Sequence, residues 1–354
     1  MSGLRDILIT RIAAQGPLTV AEYMAECLLH PTHGYYATRD PLGAAGDFTT
    51  APEISQMFGE MLGLSLAQAW LDQGAPSPFT LAECGPGRGT LMADVLRATR
   101  AVPGFHAAAQ VHLIEASDTL RAVQRDTLAR DGLIWAETVE DLPDQPLFLL
   151  ANEFFDALPV RQFQRDGDDW RERCVGLQSG GLALGLTDRQ HAPQLAHRLD
   201  DTRDGDLVET CIAGINAAHV IGDQIAAHGG AALIVDYGDW RSLGDTLQAV
   251  RGHAAADPLA DPGNADLTAH VDFEALALGA APAAHTRLTP QGVFLERLGI
   301  TARAQALAKG LSGTALETHI AAHRRLTHPQ EMGTLFKVLG LYPEGASPPP
   351  GLEP

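Results

Sequence analysis

The sequence predicts an α/β fold in which a mostly parallel sheet carries helices on both faces, and two observations support this prediction. First, short runs of continuous apolar character recur about every 20 to 30 residues, with helix-compatible segments between most of them. Second, the first of these runs turns directly into a helix through closely spaced glycines, as strands of such sheets do. The candidate strands are 79–84, 111–115, 133–136, 146–151, 232–236 and 246–250.

Composition limits the class of protein. The 354 residues are 45% hydrophobic and 19% charged, which is typical of a globular chain with an ample core. The net charge of −19 argues against nucleic-acid binding, which needs a basic face, and it suits a cationic partner. The alternative interpretation is that the acidity only keeps the protein soluble.

Cysteine spacing and apolar runs bear on compartment and metal content. The four cysteines lie far apart, without a C-x-x-C pair or a histidine cluster at ligand spacing, so a reducing compartment and no metal site are expected. The amino-terminal segment lacks a secretory apolar region, and the longest apolar runs are too short to span a bilayer. We therefore expect a cytoplasmic protein without a membrane span.

Helical patterns dominate the amino-terminal part of the chain. Thr19 and Glu22 have the spacing of a capping box at the start of a helix. Thr50 and Glu53 repeat this spacing before another apolar-periodic segment. The sequence therefore predicts an amino-terminal helical cap over residues 1–75.

The alternation of strands and helices breaks after the fourth strand. Between about 160 and 205, an Asp-Gly and a Gly-Gly turn signal stand between short alternating runs, which predicts an antiparallel β meander. Residues 206–228 return to a helical pattern. We therefore expect a core over 76–342 with an inserted β and helical subdomain at about 160–230, followed by a flexible tail over 343–354.

The segment LAECGPGRGTL, residues 81–91, carries the strongest functional signal. Gly85, Gly87 and Gly89 would present backbone N–H groups and a helix N-terminus to a nucleotide-like cofactor. Their spacing is one residue tighter than the dinucleotide fingerprint, and with Glu83 before it this form is typical of S-adenosylmethionine-dependent methyltransferases. A structural turn and a nicotinamide-dependent oxidoreductase are the alternatives, and the tighter spacing disfavours the second.

A second acid follows the next predicted strand. Glu115 ends the run VHLIE, and an acid at this place in nucleotide-binding sheets accepts hydrogen bonds from ribose hydroxyls. Its distance of 30 residues from Gly85 exceeds the usual gap of about 20, because the loop AVPGFHAAA lengthens the crossover. The alternative is an acid that only favours the positive end of the following helix.

Polar residues also follow or end the fourth and fifth strands of the predicted sheet. In NEFFDALPV, Asn152 and Glu153 would contact a methyl donor, while Glu153 and Asp156 would pair with a substrate cation. Asp236 ends the following strand. Because a guanidinium group prefers planar carboxylate partners, these acids predict an arginine-recognition pocket. The alternative is that Asn152 only caps a short helix.

The chain resembles the MidA-like methyltransferase family in several segments that occur in the same order between about residues 15 and 342. The resemblance implies a Rossmann-type class I methyltransferase fold and S-adenosyl-L-methionine as the cofactor. For the mitochondrial members it also implies assistance to respiratory complex I assembly, by symmetric dimethylation of an arginine in a complex I subunit. The segments are GDFTTAPEISQMFGE, ECGPGRGTL, NEFFDALPVRQF, VDYG, DPLADPGNADLTAHVDF, QGVFLERLG and MGTLFKVL.

The resemblance also implies roles for individual residues. The family's glycine motif and its Asn-Glu motif fall on the residues already named. The family's GDF-x-TAPE segment falls on residues 46–53, which adds Asp47 and Thr50 to the cofactor-binding candidates. Cys84 stands where the family commonly has leucine, and at a buried strand position this change affects packing only.

We therefore expect a methyltransferase that acts on an arginine of a protein, such as a complex I-type subunit. A non-catalytic assembly protein that keeps a cofactor pocket is the alternative from a different class, and a homodimer is left open. The catalytic candidates are Glu153, Asp156, Asp236 and Asn152. The cofactor-binding candidates are Glu83, Gly85, Gly87, Gly89, Glu115, Asn152, Asp47 and Thr50.

Overall fold

The computed structural model describes residues 3–38 and 50–354. Its helices are α1 (Leu4–Gln15), α2 (Val20–Leu29), α3 (Tyr35–Thr38), α4 (Ala51–Ile54), α5 (Gln56–Asp72), α6 (Thr90–Ala98), α7 (Phe105–Ala108), α8 (Asp118–Leu128), α9 (Ile212–His228), α10 (Phe273–Gly279), α11 (Gln291–Arg297), α12 (Ile300–Ala308), α13 (Gly313–Thr327) and α14 (Met332–Leu335). None of these helices is both long enough and apolar enough to cross a membrane.

The strands alternate with these helices over much of the chain. They are β1 (Leu18–Thr19), β2 (Phe79–Cys84), β3 (Ala109–Ile114), β4 (Ile134–Ala136), β5 (Leu147–Asn152), β6 (Arg161–Asp166), β7 (Asp169–Gln178), β8 (Gly181–Leu186), β9 (Leu207–Thr210), β10 (Gly230–Asp239), β11 (Gln248–Arg251), β12 (Ala254–Ala256), β13 (Asp266–Thr268), β14 (Val271–Asp272), β15 (Ala284–His285), β16 (Thr289–Pro290) and β17 (Phe336–Tyr342).

The central sheet is mostly parallel. Its parallel strands lie in the order β10-β5-β2-β3-β4, and β17 pairs antiparallel with β10. From β2 the chain first adds β3 and β4 on one side of the sheet and then returns to add β5 and β10 on the other side of β2. Open α/β sheets bind ligands at such a switch point. The predicted fold class is confirmed.

Alternate side chains of the central strands enter two apolar layers. Leu233 and Val235 of β10 pack in the layer that contains α5 and α6, whereas Ala232 and Ile234 pack in the layer that contains α9 and α10. Because both faces of these strands are covered, every residue of β2 is buried. This double burial explains why the strands appear in the sequence as continuous apolar runs.

The predicted antiparallel meander is present as β6, β7 and β8. Gly167 and Gly180 lie in its two turns with φ angles of 65° and 80°, a conformation that favours glycine. β1 and β9 complete this second sheet. Leu8 of α1 and Tyr23 of α2 share an apolar cluster with Val175 of β7, so these two helices cover the meander. In contrast, α5 covers the central sheet.

Two predictions around the central sheet are wrong. The candidate strand 246–250 lies outside that sheet, because β11 pairs antiparallel with β12 and β13 in a separate three-stranded sheet. Only Ala249 of the four residues of β11 is buried, so this strand is not covered on both faces. The predicted helix over 206–228 begins only at Ile212, because β9 occupies its first residues.

The two predicted capping boxes have different outcomes. Thr19 and Glu22 form a reciprocal box, in which the N–H of Glu22 donates to Thr19 Oγ1 at 3.1 Å and the N–H of Thr19 donates to Glu22 Oε2 at 2.8 Å. The Thr50 side chain makes no cap hydrogen bond. Its expected partner Glu53 instead accepts a hydrogen bond from Thr90 Oγ1 at 2.6 Å. A partner from α6 therefore replaces the local box.

The tail predicted to be flexible packs against the core. Leu352 is buried in the layer that contains α5. Ser65 Oγ donates a hydrogen bond to the carbonyl of Pro350 at 2.8 Å, and Arg297 pairs with Glu353 at 2.9 Å. The proline-rich composition of the tail prevents regular secondary structure but does not prevent packing.

Candidate functional site

Four neighbouring parallel strands bring the predicted residues to one edge of the sheet. Glu83 lies at the end of β2, Glu115 follows β3, Asn152 ends β5 and Asp236 lies near the end of β10. Parallel strands present their carboxyl ends at the same edge, so side chains from four separate segments meet at the switch point. Asp47, also predicted for this site, lies outside the described residues.

The loop from residue 85 to residue 89 depends on its glycines. Gly85, Gly87 and Gly89 have φ angles of 60°, 52° and 82°. A Cβ atom on Gly85 would lie only 3.1 Å from Cδ2 of Phe154, so the loop closely approaches the segment that follows β5. Thr90 begins α6 directly after the loop. The strand–loop–helix context that cofactor binding requires is therefore present.

Glu83 is buried beside this loop with one oxygen unpartnered. The side chain is 3% exposed, and the N–H of Met92 in α6 faces its carboxylate. Its Oε2 atom has no hydrogen-bond partner among the described residues. Burial raises the pKa of Glu83 to about 8. A buried carboxylate oxygen without a partner is rare, and it fits a ligand group that donates a hydrogen bond.

The carboxylate of Glu115 is held by the chain itself. Its Oε1 accepts a hydrogen bond from the N–H of Ser117 at 2.8 Å, and its Oε2 accepts one from Gln124 Nε2 at 3.1 Å. Burial raises the pKa of Glu115. Because each carboxylate oxygen can accept a second hydrogen bond, Glu115 can still receive the hydroxyls of a ribose. The sequence carries no signal for Gln124, which lies within an ordinary helical pattern.

Glu153 has a strained backbone. Its φ angle is 52°, a left-handed conformation that is uncommon for a residue other than glycine. Its Oε1 accepts hydrogen bonds from the N–H of Ala51 at 3.2 Å and from Asn152 Nδ2 at 3.1 Å. Thr50 precedes Ala51, which places it at this edge as well. Burial raises the pKa of Glu153, and Arg325 partly opposes that rise. Backbone strain of this kind clusters at functional sites.

Two buried aspartates lie next to Glu153. Asp236 Oδ2 accepts hydrogen bonds from the N–H groups of Phe155 at 3.0 Å and Asp156 at 3.2 Å, and Oδ1 accepts one from Tyr237 at 2.9 Å. Asp156 is 5% exposed, and its Oδ1 has no hydrogen-bond partner in the described ranges. Burial, and then repulsion between the carboxylates, raises the pKa of both, that of Asp236 to about 8. Asp236 therefore orients the loop after β5, while Asp156 keeps a free acceptor.

Two tyrosines border these carboxylates. The Tyr36 hydroxyl donates to Asp266 Oδ1 at 2.9 Å, and both groups contribute to the electrostatics around Asp156. The ring of Tyr237 packs edge-on against His270, with 5.3 Å between centroids. Tyr36 is not predicted from the sequence, because nothing in its glycine- and proline-rich surroundings distinguishes it. Tyr237 is indicated only by its place directly after Asp236.

Among the described residues, none of the three acids Glu153, Asp156 and Asp236 has a paired cation. Within residues 3–38 and 50–354, no lysine or arginine forms a salt bridge with Glu153, Asp156 or Asp236. The same part of the chain contains no group of three His, Cys, Asp or Glu side chains that could hold a metal ion. A cationic group that binds here would therefore favour the ionised forms of these largely buried carboxylates.

Comparison with curated proteins identifies relatives over most of the chain. A family model described as "Putative S-adenosyl-L-methionine-dependent methyltransferase" matches residues 61–291. A mitochondrial protein arginine methyltransferase of Danio rerio, NDUFAF7, is 38% identical over 93% of this chain and 84% of that protein. The Homo sapiens protein of the same name is 35% identical over 95% of this chain and 82% of the human protein.

The solved structures agree with this result. A crystal structure of a Burkholderia thailandensis protein bound to S-adenosyl-homocysteine is 28% identical, with a TM-score of 0.83 over 98% of this chain and 93% of that one. The predicted cofactor, S-adenosyl-L-methionine, is thereby confirmed. The expected cytoplasmic location is wrong on this evidence, since the curated relatives are named as mitochondrial proteins. The chain belongs to the family of S-adenosyl-L-methionine-dependent methyltransferases.

Proposed function

We propose that this enzyme methylates an arginine side chain of a protein, and that Glu153 and Asp156 bind the guanidinium group. The observation that carries the proposal is the buried Asp156 Oδ1, which has no partner within the described ranges and lies beside the strained Glu153. A guanidinium group offers planar N–H donors and a positive charge, which match this pair of acids. The names of the curated relatives, protein arginine methyltransferases, support the same substrate class.

The donor side of the site fits S-adenosyl-L-methionine. Glu115 would accept hydrogen bonds from the ribose hydroxyls, and the glycine loop would pack against the cofactor through its backbone. Glu83 and Asn152 each have a buried oxygen without a partner in the described chain, and these atoms fit the donor's ammonium group. On the family resemblance, we place Asp47 and Thr50 at the same cofactor.

When bound, the cofactor would supply an electrophilic methyl group: as the nitrogen lone pair forms the new N–C bond, the C–S bond would break and its electron pair would stay on sulfur. Asp156 holds the guanidinium and spreads its charge away from the attacking nitrogen. Glu153 takes the proton that this nitrogen loses, for which its raised pKa suits it. Asp236 fixes the loop that carries both residues, through its hydrogen bonds to the Phe155 and Asp156 N–H groups.

The finer identity of the substrate follows from the resemblance alone. We propose symmetric dimethylation and take subunits of respiratory complex I as the first substrates to test. The division of the chain at residues 76 and 343, and a homodimer, stay predictions.

The test combines ligand binding with modification mapping. The protein is titrated with S-adenosyl-L-methionine by calorimetry and then incubated with isotopically labelled cofactor and purified complex I subunits. Mass spectrometry is expected to find labelled, symmetrically dimethylated arginine. Cofactor binding without any labelled arginine would favour the non-catalytic alternative, and absence of cofactor binding would overturn the proposed site altogether.

A further inference from the structure

A fully buried glutamine joins the glycine loop to the carboxylate that follows β3. Gln124, in α8, is 0% exposed. Its Nε2 donates to the carbonyl of Gly87 at 2.8 Å and to Glu115 Oε2 at 3.1 Å. Its Oε1 accepts a hydrogen bond from Trp135 Nε1 at 2.8 Å. One side chain therefore connects the loop after β2, the residue after β3 and the middle of β4.

The orientation of this amide is determined by its partners. Because the indole N–H of Trp135 can only donate, the Gln124 oxygen must face it and the NH₂ group must face Gly87 and Glu115. The guanidinium of Arg125 lies 4.8 Å from the centre of the indole ring and helps to hold it. Each of the two N–H donors has its own acceptor, so the amide sets the spacing between the glycine loop and Glu115.

We propose that Gln124 is a positioning residue for the cofactor ribose. Its hydrogen bond holds Glu115 Oε2 in the orientation in which the carboxylate accepts the ribose hydroxyls, and its second bond ties that carboxylate to Gly87. The inference rests on the proposed cofactor site at Glu115. Because Gln124 orients Glu115, its removal should weaken the binding of ligands that carry those hydroxyls more than the binding of ligands that lack them.

The test compares two ligands that differ in the ribose. S-Adenosyl-homocysteine and its 2′,3′-dideoxy analogue are titrated by calorimetry into the wild-type protein and into Gln124→Met, which keeps the volume and removes both donors. We expect about tenfold weaker binding of S-adenosyl-homocysteine, as for the loss of a buried hydrogen bond to a charged group, and a less than about twofold change for the analogue. Equal losses for both ligands, or no loss for either, would overturn the proposal.

A second variant covers the case in which Gln124→Met does not fold. Trp135→Phe removes only the bond that orients the amide, so it should show the same ribose selectivity with a smaller loss, about threefold. A Trp135→Phe protein that binds both ligands like the wild type would contradict the proposed role of the amide orientation.

Gln162 provides a matched control in the meander. It is also 0% exposed, donates to Glu209 at 2.7 Å and Asp245 at 2.9 Å, and accepts from Arg173 at 3.3 Å. Gln162→Met should lower the melting temperature without changing the affinity for either ligand. If it weakened binding as Gln124→Met does, the effect would be general destabilisation and the inference would fail.

Failure of the cofactor site gives a different pattern. If Glu115→Gln binds S-adenosyl-homocysteine as tightly as the wild type, the ribose role of Glu115 is wrong. If Glu115→Gln shows the ribose-specific loss and Gln124→Met does not, only the role of Gln124 is wrong. We expect that Gln124→Met adds less than about twofold to Glu115→Gln, because the two residues act as one unit.

Discussion

Glu115, which follows β3 on the donor side of the site, differs from Asp156, which follows β5 on the acceptor side, in how its carboxylate is satisfied. Both oxygens of Glu115 already accept hydrogen bonds from the chain. On the acceptor side, Asp156 Oδ1 accepts none from the described residues, and Glu153 has a left-handed backbone. On the proposed assignments, the chain preorganises the ribose carboxylate by itself, whereas the positive charge of the substrate would complete the acceptor side.

The largest expected effect is a loss of methyl transfer without a loss of cofactor binding, which would distinguish the acceptor side of the site from the donor side. Glu153→Gln removes the proposed proton acceptor, so methyl transfer should fall by about 100-fold or more, while the Kd for S-adenosyl-L-methionine changes less than about threefold. Labelled-methyl incorporation and calorimetry measure the two quantities. The exposed Glu317→Gln is the control and should affect neither. Full activity of Glu153→Gln would exclude Glu153 from the chemistry.

The next prediction disturbs the contact between the two sides. Gly85→Ala places a Cβ atom 3.1 Å from Phe154 at a φ angle of 60°, so it should weaken cofactor binding by about tenfold and cost about 1–3 kcal/mol of unfolding free energy. Gly74 has a φ angle of 85° with no atom within 4 Å of a built Cβ. Gly74→Ala should therefore lose stability but bind the cofactor normally.

Both outcomes are measured by thermal unfolding and calorimetry. If Gly74→Ala loses cofactor affinity as Gly85→Ala does, backbone strain alone explains the effect, and the close approach to Phe154 has no part in it.

A smaller effect concerns pH and the buried acid of the donor side. The pKa of folded Glu83 is about 8, above the 4.5 of an ordinary glutamate, so its contribution to stability is fully present below about pH 4.5 and is lost as pH rises through about 8. Glu83→Gln removes this dependence. Its unfolding free energy should fall less than that of the wild type between about pH 5 and 9, by about 1 kcal/mol or more.

Chemical denaturation across this pH range measures the difference, with Glu317→Gln as the surface control. Identical pH profiles for Glu83→Gln and the wild type would show that ionisation of Glu83 does not destabilise the folded protein.

The smallest expected effect tests the two threonines of the predicted capping boxes. Thr19→Ala removes a formed box and should cost about 1 kcal/mol of unfolding free energy. Thr50 makes no cap bond, so Thr50→Ala should change stability by less than about 0.5 kcal/mol. If Thr50 touches the cofactor, the variant should instead bind S-adenosyl-L-methionine about threefold more weakly. An unchanged Kd would remove Thr50 from the site.

Features formed by residues that are contiguous in the sequence could be predicted, whereas contacts between distant segments could not. Gly85, Gly87 and Gly89 were predictable because strand, glycines and helix are contiguous, and Glu115 because a strand-end acid has one place in a parallel sheet. The absence of the predicted capping box at Thr50 was not predictable, because Glu53 accepts a hydrogen bond from Thr90 of α6, a partner that no local pattern specifies.

The same distinction applies to the details of the site. The meeting of Asp156 with Asp236 was expected from strand ends, but the hydrogen bonds by which Asp236 holds the loop depend on the fold. The roles of Tyr36 and Gln124 were not predicted, because they depend on partners that are distant in the sequence. Asp266 lies 230 residues from Tyr36, and Gly87 lies 37 residues from Gln124. Segment 246–250 was misassigned because a short apolar run does not reveal whether one or both faces are covered.

The close approach of Gly85 to Phe154 has a consequence for the coupling between cofactor and substrate binding. Phe154 directly follows Glu153, so on the proposed assignments a cofactor that orders the glycine loop would also restrict the backbone next to the acid that binds the substrate. Thermodynamic reciprocity then requires that the arginine substrate raise the affinity for the cofactor by the same factor by which the cofactor raises the affinity for arginine. The contact between the glycine loop and the ring of Phe154 would thus couple binding of the methyl donor to binding of the arginine.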